Sequence, residues 1–261
     1  MMDFEILEKL NGFNHVMFEE KRHIYTIGDQ KLTSVTTLIN QYQEDADWDE
    51  IATKYAAKNG ETPEYWRDLW KQEGSIAGAK GDEIHKYAEF TMANKVYEID
   101  MERMVLQTEK CDKIDWFEPW RVMKKLKMMW DVFWLQARGV LIPVRSEFVV
   151  GDAELGVAGM VDQLFWNTKM QELQIWDWKT SKKIVRHNKY RNLTGPFSHL
   201  DDCEWIKYSL QIAIYKYIIK KNLGLEIGDC YIGWFHENND TYKIIKTLNL
   251  DMEVSQMFQE L

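Results

Sequence analysis

Little in this chain of 261 residues can cross-link it or anchor it. Cysteine occurs three times, at Cys111, Cys203 and Cys230, and never in a CxxC pair. An odd, scattered set excludes a disulfide framework and fits a reducing compartment. Three thiols also fall short of the four that ligate an iron–sulfur cluster, so no such cluster is expected. No apolar run reaches bilayer-spanning length, so no membrane partner is expected. The opening residues, MMDFEILEKL, are acidic and mixed, unlike a secretory signal, and a cytoplasmic location is the expectation. Internal repeats, low-complexity linkers and Gly/Ser hinges are missing too. Positive charge is in deficit: the net charge is −9, whereas a protein that coats DNA is usually basic. What remains is an ordinary globular composition, 45% hydrophobic and 29% charged.

The most informative stretch runs from Gly156 to Lys183, GVAGMVDQLFWNTKMQELQIWDWKTSKK. It reads as two strands joined by a polar turn. Side chains alternate faces along a strand, so Asp177 and Lys179 share one face and Trp178 turns into the core. Asp162, one hairpin arm earlier, can meet Asp177 across the pair. Two carboxylates and a lysine at a sheet end are costly to bury unless a cation balances the acids. Hard oxygen ligands favour Mg²⁺ or Mn²⁺, and such ions promote phosphoryl chemistry.

The rest of the chain frames this stretch. Residues 16–26, with Gly28-Asp29 as a turn signal, read as a small hairpin, and Ser34 caps a short helix after it. Residues 46–96 carry aromatic residues at helical spacing, with a strong helix start at Thr62-Pro63-Glu64. Gly74, Gly78 and Gly81 are expected to break that run into separate helices. His85 and Glu89 then share a helical face, and a lone helical histidine is commonly structural. Residues 98–115 are polar and ambiguous. Residues 116–138 form a long helix whose stripe of Trp120, Met123, Leu126, Trp130, Phe133 and Trp134 reads as core. Residues 139–150 read as the first core strand, and 204–221 as a helix in which Gln211 and Tyr215 share a face. Two short strands and a final helix close the chain. Between Lys179 and Arg191, Lys179, Lys182, Lys183, Arg186, Lys189 and Arg191 occur with no acidic residue among them. A solvated loop is the ordinary reading of such a run, and a phosphate-facing patch is the functional one. Arg121, Lys124, Lys125 and Lys127 offer a second patch or the solvated face of their helix.

In this order the motifs resemble the PD-(D/E)XK nuclease superfamily, and within it the RecB-like exonucleases of phages and the mitochondrial genome maintenance exonuclease. Asp162 matches the lone acid, and Asp177-Trp178-Lys179 the (D/E)XK element, with Trp where many relatives have Tyr. G-x-x-x-H-x-x-x-E from Gly81 to Glu89, S-E-x-x-V around Glu147 and Q-x-x-x-Y from Gln211 match further motifs. The segment HIYTIGDQKLTSVTTLI is similar to the family's entry segment. The resemblance covers about His23 to Tyr217.

It implies an α/β, restriction-endonuclease-like fold: a mixed central sheet flanked by helices, with a helical N-terminal part. Residues 1–138 would hold the hairpin and the G-x-x-x-H helix, and 139–261 the nuclease core, as one continuous unit. It implies a metal-dependent DNA exonuclease acting in recombination, repair or replication, with a phage origin and the host cytoplasm as one setting. His85, Asp162, Asp177 and the main-chain carbonyl of Trp178 would ligate the metal, with Glu89 and Glu147 as supports. Lys179 would serve the water or the phosphate, and Gln211 and Tyr215 would line the site. Ser34, Thr36, Thr37, Thr180, Ser181, Lys182, Lys183 and Arg186 would contact DNA with a free end. A helicase or a single-strand-annealing or -binding protein would be the partner. The alternatives are a structure-specific endonuclease and a non-catalytic DNA-binding module on the same scaffold.

Overall fold

The central strand shows how the sequence builds the sheet. In β6 (Glu172–Lys179), Leu173 and Ile175 enter one hydrophobic cluster, while Trp176 and Trp178 enter another. Alternation along one strand thus feeds two cores, one on each face of the sheet. The computed structural model describes residues 4–102, 104 and 117–260; Cys111, Trp116 and most of the polar stretch 98–115 lie outside the described residues.

The chain is an α/β protein with an open, mixed sheet of eight strands flanked by helices. β1 (Val16–Glu19), β2 (Ile24–Ile27) and β3 (Gln30–Ser34) form an antiparallel meander. β3 then pairs in parallel with β5 (Val157–Asn167), β5 pairs with β6, β6 runs parallel to β7 (Tyr231–Trp234), and β8 (Lys243–Lys246) closes the edge. β4 (Leu141–Asp152) occupies the other edge of β5 along almost its whole length.

Among the described residues, the helices with full bounds are, in chain order, α1 (Phe4–Leu10), α2 (Val35–Asn40), α3 (Trp48–Asn59), α4 (Pro63–Met92), α5 (Phe117–Ala137), α6 (Glu204–Leu223) and α7 (Asp251–Glu260). α6 and α7 supply Leu210, Ile214, Ile218 and Val254 to the first core, with Tyr217 packed at its margin. α4 and α5 supply Ile84, Tyr87, Leu126, Trp130 and Phe133 to the second. Among the described residues, no helix is long and apolar enough to cross a membrane. Cys203 and Cys230 are buried and free.

Local signals read from the sequence start and stop these elements. Ser34 Oγ accepts the Thr37 N–H, Thr62 Oγ1 accepts that of Tyr65 with Pro63 following, and Gly224 ends α6 at φ +62°.

Three expectations need correction. The N-terminal hairpin is a three-stranded meander, because Gly28-Asp29 turns the chain into a third strand rather than closing the first pair. α4 runs unbroken through Gly74, Gly78 and Gly81. An interior glycine costs a helix only about 1 kcal/mol, and the burial of Ile76, Ala79 and Ile84 along that helix offsets it. Trp120 is not core: it is 40% exposed, with Lys124 Nζ 3.7 Å above its ring. The aromatic residues of α3 and the start of α4 likewise pack on one another, Tyr55 against Trp66 and Trp70, and leave Trp48 63% exposed.

Candidate metal centre

The sheet forks at Asp162. One edge of β5 is taken by β3 at Val157 and Ala158, then by β6 from Gln163 onward. Between these partners a short run of β5 has no strand on that edge among the described residues. Gly159 opens the gap: a Cβ there would sit 2.6 Å from Cε1 of Tyr215, so only glycine lets α6 approach. Asp162 fills the end of the gap with its side chain, and its Oδ2 accepts the Trp178 N–H at 2.7 Å. On the other edge, the β4–β5 register brings Glu147 opposite Asp162, and Glu147 takes the left-handed conformation at φ +46°. Such a backbone in a strand is strained for any residue but glycine and re-aims the side chain.

Five elements meet at this fork. His85 of α4 places Nε2 3.1 Å from the Trp178 carbonyl oxygen. Its Nδ1 lies 3.8 Å from both Glu147 Oε1 and Asp162 Oδ1. Ligand atoms of His85, Glu147 and Asp162 all lie within 4.8 Å of one another. On β6, Lys179 Nζ is 2.5 Å from Asp177 Oδ2. From α6, the Gln211 amide donates to Asp177 Oδ1 at 3.3 Å and to the Tyr215 hydroxyl at 3.1 Å. Asp177, Gln211 and Tyr215 are all buried.

The charges are strongly coupled. Burial disfavours the His85 cation, but Asp162 and Glu147 outweigh it and raise its pKa to about 9. Burial also opposes charge on Lys179, yet Asp177 and Asp162 keep it protonated. Burial pushes Asp177 up to about 6; Asp162 adds to that rise and Lys179 opposes it. Three carboxylates thus share one ammonium, which leaves two negative charges in excess when His85 is neutral. A divalent cation would balance that excess. A donor set of two carboxylates and the imidazole Nδ1, with the Trp178 carbonyl bonded to Nε2 on the other side of the ring, suits Mg²⁺ or Mn²⁺. The residues present therefore fit such an ion, with His85, Glu147 and Asp162 as its holders.

Most of the sequence-derived site is brought together here, with two changes of roles. The Trp178 carbonyl, expected as a metal ligand, bonds His85 Nε2 instead. Glu147 joins His85 and Asp162, whereas the Asp177 carboxylate is engaged by Lys179 and Gln211. Glu89 lines the same cavity of about 530 Å³ as His85 and Glu147. Ser34 pairs with Ala158 where β3 leaves the fork, and it hydrogen-bonds the hydroxyls of Thr36 and Thr37. Thr180 and Ser181 continue directly from Lys179. Lys182, Lys183 and Arg186 are exposed beyond them, with Arg186 over the Trp205 ring. Arg191, in contrast, is committed to Glu44 and Asp202.

Two site residues escaped the sequence reading. Tyr208 lies under Lys179, its ring 4.8 Å from Nζ, and its hydroxyl bonds Ser181 Oγ at 2.7 Å. Its place three residues before Gln211 on one helix face was the available signal. Tyr25 is buried beside the fork; burial, then Glu147 and Asp162, push its pKa up to about 12. Nothing local in the sequence marks it.

Two expected outcomes follow from this geometry. Gly159→Ala drives a methyl into Tyr215 and should destabilise the protein by about 1–3 kcal/mol in urea unfolding, with Gln211 displaced from Asp177. A silent substitution would mean that α6 stands off the sheet. In EDTA, His85 should make stability depend on pH. Its pKa of about 9 exceeds the ordinary 6.5, so its contribution is complete below pH 6.5 and lost as pH rises through 9. Over that window the wild type should lose about 1–2 kcal/mol more than His85→Gln, allowing for solvent screening of a partly exposed group. Parallel pH profiles would count against the contact with Asp162 and Glu147.

No protein-family model matches the chain, and no curated protein matches it either.

Proposed function

We propose that this chain is a Mg²⁺- or Mn²⁺-dependent deoxyribonuclease of the PD-(D/E)XK kind, acting as a RecB-like exonuclease on DNA with a free end. The observation that carries this reading is the fork: His85, Glu147 and Asp162 converge beside a buried Asp177–Lys179 pair. Acids in excess of bases in one recess suit a divalent ion, and an ammonium beside them suits a phosphodiester.

When bound, the metal supplies Lewis acidity at the phosphate and a more acidic water. The chain's own residues do the rest. Lys179, held protonated by Asp177 and Asp162, offers its charge to the oxygen that becomes negative in the transition state. Gln211 fixes the Asp177 carboxylate, and Tyr215 fixes Gln211. Tyr208 supports the Lys179 ammonium from its ring face. The main-chain N–H of Trp178 orients Asp162. Products would carry a 5′-phosphate and a 3′-hydroxyl. A role in DNA recombination, repair or replication, with a helicase or single-strand-binding partner, is part of the same proposal.

The test is cleavage of end-labelled linear single- and double-stranded DNA beside a closed circle, with Mg²⁺, with Mn²⁺ and with EDTA. Metal-dependent loss of the linear strands alone is the expected result. Cutting of the circle would make the protein an endonuclease. DNA retention without cleavage in either metal would make it a binding module.

A further inference from the structure

We propose that the cavity beyond Lys179 receives the nucleotide that flanks the scissile phosphate, and that the Glu237 carboxylate holds the place of a strand phosphate there in the free protein. The inference rests on the nuclease reading and names a subsite for it.

The parallel strands β6 and β7 end side by side. The segments that follow, Thr180 to Lys182 and His236 to Asn238, wall a cavity of about 790 Å³ against α4 and α5. That volume lies within the range of about 300–1,000 Å³ typical of small-molecule and cofactor sites. Trp70, Ile76 and Val122 give it an apolar side, suited to a base or sugar.

Its polar side holds Lys80, Lys182 and His236, with an exposed Glu73 at the rim, and Glu237 is the carboxylate that meets the buried Lys80 and His236. Glu237 Oε1 lies 3.4 Å from Lys80 Nζ, and Oε2 lies 3.1 Å from His236 Nε2. Both partners are well buried, their side chains 15% and 6% exposed. Lys125 Nζ donates to the Glu237 carbonyl oxygen at 2.5 Å, fixing the backbone that presents the carboxylate. Lys182 stands at the rim with no ion-pair partner among the described residues.

In a chain of net charge −9, Lys80 and Lys182 face this recess, and the buried His236, its pKa lowered by burial and its Nδ1 accepting the Asn238 N–H, offers Nε2–H as a neutral donor. A phosphate has the charge and oxygens of a carboxylate and meets the same donors. Glu237 thus satisfies Lys80 and His236 until a strand arrives, and competes with it. Because Thr180 follows Lys179 without a break, a nucleotide in this cavity adjoins the reacting one.

The test is fluorescence anisotropy with a labelled single-stranded oligonucleotide in EDTA, so that binding is read without cleavage. Glu237→Gln should bind about five- to tenfold more tightly than wild type, and Lys80→Ala about five- to tenfold more weakly. Lys80→Ala should also flatten the dependence of log K on log salt by about 0.7, the share of one phosphate on a single strand. In the Lys80→Ala, Glu237→Gln double variant the gain should vanish, since the competing carboxylate acts through that lysine. If Glu237→Gln does not melt cooperatively, Lys80→Arg carries the test: it should keep the binding that Lys80→Ala loses. Wild-type affinity in both Glu237→Gln and Lys80→Ala overturns the inference, and it does so alone if the wild type still cleaves DNA with Mg²⁺. If the wild type neither cleaves nor binds DNA, the nuclease proposal fails and takes this subsite with it.

Discussion

Changing Lys179 to alanine is expected to lower metal-dependent DNA cleavage by about 10³-fold, the scale of removing one electrostatic group aimed at the transition state. DNA affinity should change far less, because the exposed basic residues beyond β6 are untouched. The size of the effect follows from placement. Lys179 Nζ is 2.5 Å from Asp177 Oδ2, its side chain is 18% exposed, and nearby acids hold it protonated. A charge so enclosed acts through a medium of low dielectric and is already oriented before substrate arrives. Arginine keeps the charge but needs room for a planar fork, so Lys179→Arg should recover little. Single-turnover rates for wild type and both variants, with thermal melts as a folding control, provide the check. Full activity in Lys179→Ala would remove Lys179 from the chemistry.

The largest loss of stability is expected at the neighbouring residue. Trp178→Ala should destabilise the protein by about 3–5 kcal/mol, the usual range for deleting a buried aromatic side chain. Trp178 is 2% exposed. Its ring meets Trp130 edge-on at 5.0 Å and 82°, and it also contacts Phe133, Phe165 and Phe235. Gly233 lies beneath it on β7, where a Cβ would come within 2.6 Å of the ring. Trp178→Phe keeps an aromatic ring and should lose only about 1–2 kcal/mol. The same backbone unit gives its N–H to Asp162 and its carbonyl to His85. Trp178→Ala should therefore loosen the His85–Glu147–Asp162 cluster as well as the core. Urea unfolding measures the first effect. A loss below about 1 kcal/mol would contradict the packing described here.

How much of this was readable in the sequence depends on the range of the interaction. Asp177, Trp178 and Lys179 were legible because strand period alone assigns their faces. Asp162 was legible because a hairpin brings its two arms into register. Ser34 and the Thr62-Pro63 start were legible because caps act over three residues.

The fork itself was not legible. It requires β3, more than a hundred residues away, to pair with the first two residues of β5, and no local pattern encodes that pairing. Sequence alone assigns Glu147 only a supporting role, because its position beside His85 depends on a left-handed backbone that no local pattern reveals. The unbroken α4 misled for a related reason: glycine weakens a helix modestly, and long-range burial decides whether it continues. Lys80 and Glu237 carry no motif at all, and they meet only because two parallel strands end together.

The most direct test of the metal centre is Mn²⁺ binding followed by electron paramagnetic resonance, in wild type, His85→Ala and Asp162→Ala. The site described here predicts loss of free Mn²⁺ signal on adding wild-type protein, and marked weakening of that binding in both variants. Equal Mn²⁺ affinity in all three proteins, or none in the wild type, would contradict a metal centre at the fork of β5.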